Sequence, residues 1–453
     1  MLGLEAAFFW VCLILILIGG AVGLFLWRGR KVGYAPYFAG WFITWPIIAY
    51  LGAQGYTGQV VFCALVALFF LKVRDVRLYA VAFCAFLTWV VAATFWSPDT
   101  KPILIGDLVS GDFNMDMVGA RFGLTMLATM AVMVALKHVP EGTASRSLGL
   151  IRVLGAIHWT SVVVTGFGLA LIMELILGAG LSPDPSSLIQ NLLRNANAFA
   201  LLLPFLLAWI WHRDWPLWAK TLAALVFGGS VTAFALTGTQ TALFGSVFML
   251  FAMGIVRLFP RSGFKALFGG MAAYVATAPI IFGVGLDFLA RIGITLPGSF
   301  FSRTKGWELV GEKITEKPLM GHGLEATYNW SETYADRPEW LEEALAQFGT
   351  GKGWENYEIL NSHPHNMPLQ IWVETGAIGA FLAALAVLLF GFRLKMPFEW
   401  PAVSRYAAAG LIGIAFSICS FSYSMWNEAF WASLALAAGV ILLHARQDGG
   451  VSK

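Results

Sequence analysis

Thirteen apolar runs divide this chain, at 7–27, 34–52, 58–71, 76–96, 118–137, 154–178, 196–211, 217–237, 240–259, 266–290, 367–392, 403–421 and 424–444. Crossing the hydrocarbon core of a bilayer takes roughly 17 to 25 residues of helix, and most of these runs qualify. In lipid every backbone N–H and C=O must be satisfied internally, so such runs become α-helices. The chain is therefore expected to be an all-α polytopic membrane protein, with about 12–13 transmembrane helices. The charge supports this: 12% of the 453 residues are charged, about half the share of a soluble domain. Pro36 and Pro46 interrupt the second run, which helices tolerate when neighbours satisfy the freed carbonyls. Cys12, Cys63, Cys84 and Cys419 all fall inside apolar runs and are expected as small core residues, not as disulfides or metal ligands. Leu4 to Trp27 lacks a basic leader and a small-residue cleavage site, so it is expected to be a retained span.

Lys and Arg set the orientation. If the loop after the first run is cytoplasmic, 19 of the 29 basic residues fall inside, and seven of the other ten lie in the long segment 291–366. Short loops are therefore strongly biased. The N-terminus is expected outside, the C-terminus in the cytoplasm and the long segment outside. The exceptions are Lys101, Arg121 and Arg194. Arg121 and Arg194 stand at outer mouths of spans, where sorting does not favour cations. Interfacial snorkelling is the plainer reading, and an anion site is the sharper one.

The expected organisation is 1–290 as helices 1 to 10, 291–366 as a large extracytoplasmic domain, and 367–453 as helices 11 to 13. The middle segment carries 11 acidic and seven basic residues along with Trp307, Trp330, Trp340 and Trp354, too many aromatics for a linker. Helical spacing of apolar residues marks 303–313 and 338–348, and Gly321-His322-Gly323 marks a turn. There is no basic tract with interleaved aromatics, so no nucleic-acid partner is expected.

The chemistry concentrates where this segment enters a span, at His363-Pro364-His365-Asn366. Asn366 suits a helix N-cap and Pro368 the first turn. His365 then sits at the positive end of a helix, which keeps an imidazole neutral and able to act as a general base. A polar interfacial turn is the plainer alternative. A zinc site is another, with His322 as a further ligand. Arg194, Arg291, Arg303 and Arg121 are placed to converge at the outer surface, where guanidinium groups grip a diphosphate. A salt bridge or headgroup contact explains any one of them equally well. Among acids within spans (Glu174, Glu374, Glu428), Glu374 shares a helix with the histidines and is the best candidate for a supporting role.

These residues resemble a family. His363-Pro364-His365-Asn366-Met367-Pro368-Leu369-Gln370, followed by Glu374-Thr375-Gly376-Ala377-Ile378-Gly379, is similar to the signature of the bacterial O-antigen ligase and polysaccharide polymerase superfamily. Arg303, Trp307 and Pro318-Leu319-Met320-Gly321-His322-Gly323 resemble a second signature, and Asn195-Ala196-Asn197 a third. The resemblance implies an inverting glycosyl transfer at the periplasmic face of the bacterial inner membrane, with no metal or other cofactor. The donor is an undecaprenyl-diphosphate-linked glycan, and the acceptor is a lipid A core or another glycan. His365 is implied as general base with His363 beside it, Arg303 as the diphosphate grip and Arg194 as its partner. Where members often carry Ser-Arg, this chain has Thr239-Gln240, so that arginine's role is either absent or taken by another residue, such as Arg291 or Arg121. A repeat-unit polymerase using the same donor is the nearest alternative. A lipid or solute transporter is the alternative of another class, although the ionisable residues gather at the outer ends rather than at the midplane where transporters bind.

Overall fold

The structure is a computed structural model describing residues 34–43, 55–71, 78–98, 117–140, 200–225, 240–292, 298–394 and 399–447, with 143, 144, 146, 147, 149 and 197. The runs at 7–27 and 154–178, and Arg194, lie outside the described residues.

The described helices are α1 (Ala35–Ile43), α2 (Gly55–Ala67), α3 (Leu78–Ala93), α4 (Val118–Lys137), α5 (Leu203–Trp211), α6 (Gln240–Leu258), α7 (Gly263–Arg291), α8 (Gly298–Glu316), α9 (Pro338–Phe348), α10 (Met367–Arg393), α11 (Ala402–Phe421) and α12 (Glu428–Gln447). Five contain stretches long and apolar enough to cross a membrane: Val118–Lys137, Gly263–Leu286, Met367–Arg393, Ala402–Phe421 and Glu428–Arg446. Tyr56–Phe70, Ala80–Trp96 and Phe244–Leu258 are shorter apolar helices. Among the described residues there is no strand, only an isolated bridge between Thr333 and Glu358. The protein is an all-α polytopic membrane protein.

α10 packs between α7 and α3, α11 against α6 and α5, and α12 against α4. The main core is apolar and well filled, with Phe38, Phe122, Leu136 and Leu201 wholly buried. Full burial of such a side chain is worth about 1.5–3 kcal/mol.

The segment 291–366 builds a buried cluster together with the helices beside it. Phe301, Trp307, Val310, Tyr334, Trp354 and Leu360 form one cluster with Ala278 of α7 and with Leu369 and Val373 of α10. Helical spacing located α9 to the residue, while α8 runs beyond the 303–313 stretch at both ends. Arg337 ties α9 back to the segment through Glu312 at 2.8 Å and Glu332 at 3.0 Å.

The run 367–392 is not one unbroken helix. Gly376 has φ 67° and ψ −173°, which interrupts α10. The freed backbone is met by the turn after α8: His322 N donates to Val373 O at 2.8 Å, Gly323 N to Glu374 O at 2.9 Å, and Ala377 N to Pro318 O at 2.8 Å. A broken helix at membrane depth is tolerated because another segment satisfies it. The approach is close enough to require glycine on both sides. A Cβ on Gly376 would lie 2.2 Å from Leu319 O, and one on Gly321 would lie 2.5 Å from Glu374 C. The two glycine-bearing signatures, far apart in sequence, are thus the two faces of one joint.

Candidate functional site

The seam between the segment 291–366 and α10 is assembled by Asn366. Its Oδ1 accepts from Leu369 N at 3.0 Å, capping α10 as expected. Its Nδ2 donates to Tyr274 Oη on α7 at 3.1 Å and to Ser420 O on α11 at 3.2 Å. One buried amide therefore joins three helices. Trp307 on α8 fixes the preceding turn by donating from Nε1 to Pro364 O at 2.7 Å.

Both imidazoles converge on one carbonyl, that of Ser422, which ends α11. His365 Nδ1 lies 2.6 Å from Ser422 O, and His363 Nε2 lies 3.3 Å from it. The two rings are 4.3 Å apart. A carbonyl only accepts, so the nitrogen facing it carries the proton. In His363 the other nitrogen, Nδ1, meets the Ser362 hydroxyl at 3.1 Å. In His365 the remaining nitrogen is Nε2, and among the described residues no hydrogen bond occupies it.

The surroundings keep both rings neutral. Burial lowers His363 from the ordinary 6.5 to about 3, with the His365 ring and the Arg303 guanidinium adding to the effect. Burial also lowers His365, and Arg303 adds, against the opposing Ser422 carbonyl. Helix-end chemistry pointed in the same direction, but burial is the larger cause. Neutral His365 therefore presents a bare Nε2 lone pair.

Arg303 is the cation of this site. It is held below its usual range by burial, with the Tyr357 phenol opposing, and it stacks near Phe300 at 5.6 Å. Among the described residues no carboxylate pairs with it. A half-buried guanidinium with no counter-anion among the described residues is chemically able to take one.

The other predicted arginines fall differently. Arg121 on α4 pairs with Glu428 at 3.1 Å, the plainer of its two readings. Arg291 is exposed at the last position of α7. Arg194 lies outside the described residues.

Glu374 is wholly buried. Oε1 accepts from Gln370 Nε2 at 3.0 Å and Thr327 Oγ1 at 3.1 Å, and Oε2 from Glu325 N at 2.7 Å and Trp426 Nε1. Four donors make it a fastener joining α10, the outer segment and the α11–α12 loop. His322 Nε2 is 2.9 Å from Lys313 O, apart from the paired rings. Among the described residues no three His, Cys, Asp or Glu side chains converge as a metal ion needs.

Two features escaped sequence reasoning. One is the loop 422–427: Ser422 O orients both histidines, Ser422 Oγ accepts from Asn197 Nδ2 at 3.3 Å, and Met425 N donates to Gln370 Oε1 at 2.7 Å. The other is strain. Among the described residues three non-glycine residues have positive φ: Glu325 (56°), Ser362 (86°) and His365 (52°). Each costs about 1–3 kcal/mol unless its surroundings impose it, and such residues cluster at functional sites.

No curated protein and no solved structure matches the chain. A family model described as O-antigen ligase matches residues 222–384. That stretch includes Arg303, the whole of 291–366 with both histidines, and the Gly376 joint. Over residues 222–384 the chain is therefore similar to an O-antigen ligase family.

Proposed function

We propose that the protein transfers a glycan from an undecaprenyl-diphosphate carrier to an acceptor hydroxyl at the periplasmic face, with inversion and without a metal. The observation that carries this reading is a half-buried Arg303 without a carboxylate partner among the described residues, together with a neutral His365 whose Nε2 has no hydrogen bond among them.

In this reading the acceptor hydroxyl gives its proton to His365 Nε2 as its oxygen attacks the anomeric carbon. The bond from that carbon to the phosphate oxygen breaks, and the diphosphate leaves with the electron pair. Arg303 meets the charge that develops there, a preorganised cation in a poorly hydrated site. His363, bonded through both nitrogens, buttresses His365. Asn366 and Glu374 hold the loops in register. Arg194 and Arg291 stay candidates for a second diphosphate contact, since both belong to the outer end of the molecule in the topology derived from Lys and Arg. Arg121 also belongs to that end, but its charge is engaged by Glu428. The same topology puts the N-terminus outside and the C-terminus in the cytoplasm.

The acceptor that fits a ligase is a lipid A core. Deleting the gene and separating the surface polysaccharides on a gel tests this. Unsubstituted core with long glycan retained on carrier lipid is the expected result. Core bearing a single repeat unit identifies a polymerase instead, and an unchanged profile overturns glycan transfer altogether.

A further inference from the structure

We infer that Tyr328 and Tyr357 are the sugar-binding walls of this site, Tyr328 for the acceptor ring and Tyr357 for the donor ring next to the diphosphate. The inference rests on the transfer reading above and goes beyond it to the recognition of the two substrates.

Over 298–366 two aromatic side chains stand clearly exposed among the described residues, Tyr328 at 54% and Tyr357 at 44%, while Trp307, Tyr334 and Trp354 are buried. Both exposed rings sit on firmly held backbone. Tyr328 belongs to the turn Ala326–Asn329, and Glu325 before it is one of the three strained residues. Glu374 grips that turn through Glu325 N at 2.7 Å, and the single Thr327 hydroxyl proton is shared between Ser362 O at 2.7 Å and Glu374 Oε1 at 3.1 Å. Ser362 and His365 lie in the imidazole loop itself, whereas Glu325 stands at the start of the turn that carries Tyr328. Tyr357 is held by its own carbonyl, which accepts from Tyr334 N at 3.2 Å, and by contact with the Trp354 ring at 5.5 Å.

Each phenol adjoins one half of the chemistry. Tyr328 lies beside Ser362, whose hydroxyl meets His363. Tyr357 is near enough to Arg303 for the phenol and the guanidinium to interact electrostatically. The base must touch the acceptor and the cation must touch the leaving diphosphate, so the two tyrosines divide between the two sugars. A pyranose has an apolar C–H face and a polar hydroxyl rim, and tyrosine matches it with an apolar ring and a polar tip. A ring already held in place loses little entropy on binding.

The test uses the full chain in lipid nanodiscs. The donor is undecaprenyl-diphosphate-linked glycan from the strain that encodes the protein, and the acceptor is that strain's unsubstituted core glycolipid. Tyr328→Ala is expected to raise the acceptor KM about tenfold, the scale of losing one aromatic anchor, and to leave the donor KM and kcat near wild type. Tyr357→Ala is expected to do the reverse. Tyr328→Phe, which keeps the ring, should keep the wild-type acceptor KM. An unchanged KM in either alanine variant, a fall in kcat alone, or a Phe variant as impaired as the Ala variant overturns the inference. His365→Ala in the same assay separates the two levels. If it transfers normally, the reading of the site fails. If it is inactive while the tyrosine variants behave as wild type, only the sugar walls fail.

Discussion

At the scale of the residue, the site turns on which nitrogen of which histidine is open. The His-x-His-Asn motif, the N-cap and Arg303 were all legible, because side chains capable of this chemistry stand out against an apolar background. Ser422 was not legible. It is a serine near the edge of an apolar run, 57 residues from His365, and its role is played by its carbonyl, which no side-chain pattern marks. The histidines give a prediction about pH. A base lowered by burial stays neutral below its ordinary value, so the acid limb of the transfer rate should lie below pH 6.5. A limb at or above 6.5 would count against His365. The sign for stability is the same: the unfolded chain takes up protons first, so stability falls as pH drops below 6.5. Arg303→Lys keeps the charge but loses the fork, and should cost about 10²-fold in transfer rate, near that of Arg303→Ala. Single-turnover kinetics would measure it. Asn366→Asp keeps the cap acceptor but removes both donations, to Tyr274 and Ser420. It should destabilise the fold by about 1–3 kcal/mol, read from thermal unfolding in detergent.

At the scale of the element, apolar length found the helices, and α4 was placed to the residue. The break in α10 was hidden, because glycine is common in spans and Thr375-Gly376-Ala377 reads as uninterrupted helix. Only the docking of 318–323 reveals it, a contact between segments more than 50 residues apart. Gly376→Ala adds a methyl against Leu319 O at a backbone angle that favours glycine. It should undock the turn, expose 317–330 to protease and lower the melting temperature. Gly311→Ala, which meets nothing within 4 Å on α8, is the control. It should be neutral or stabilise by up to about 1 kcal/mol. Equal protease resistance in the two variants would mean the joint is not as tight as its geometry.

At the scale of the whole molecule, the distribution of Lys and Arg predicts the sidedness, and the segment 291–366 shares a buried cluster with α7 and α10. That cluster seats α8, and Arg303 on that helix acts electrostatically on both imidazoles, something composition could not show because it depends on which faces meet. With native cysteines replaced, a cysteine at exposed Asn356 should react with a membrane-impermeant maleimide in intact cells, and one at exposed Arg261 only after permeabilisation. The opposite pattern would invert the topology and put the site on the wrong side for a periplasmic donor. The most direct measurement of the central claim compares donor binding with transfer in purified His365→Ala. The account predicts that undecaprenyl-diphosphate-linked glycan still binds within about threefold of wild type, because Arg303 is intact, while transfer falls by about 10²–10⁴; transfer at the wild-type rate would contradict it.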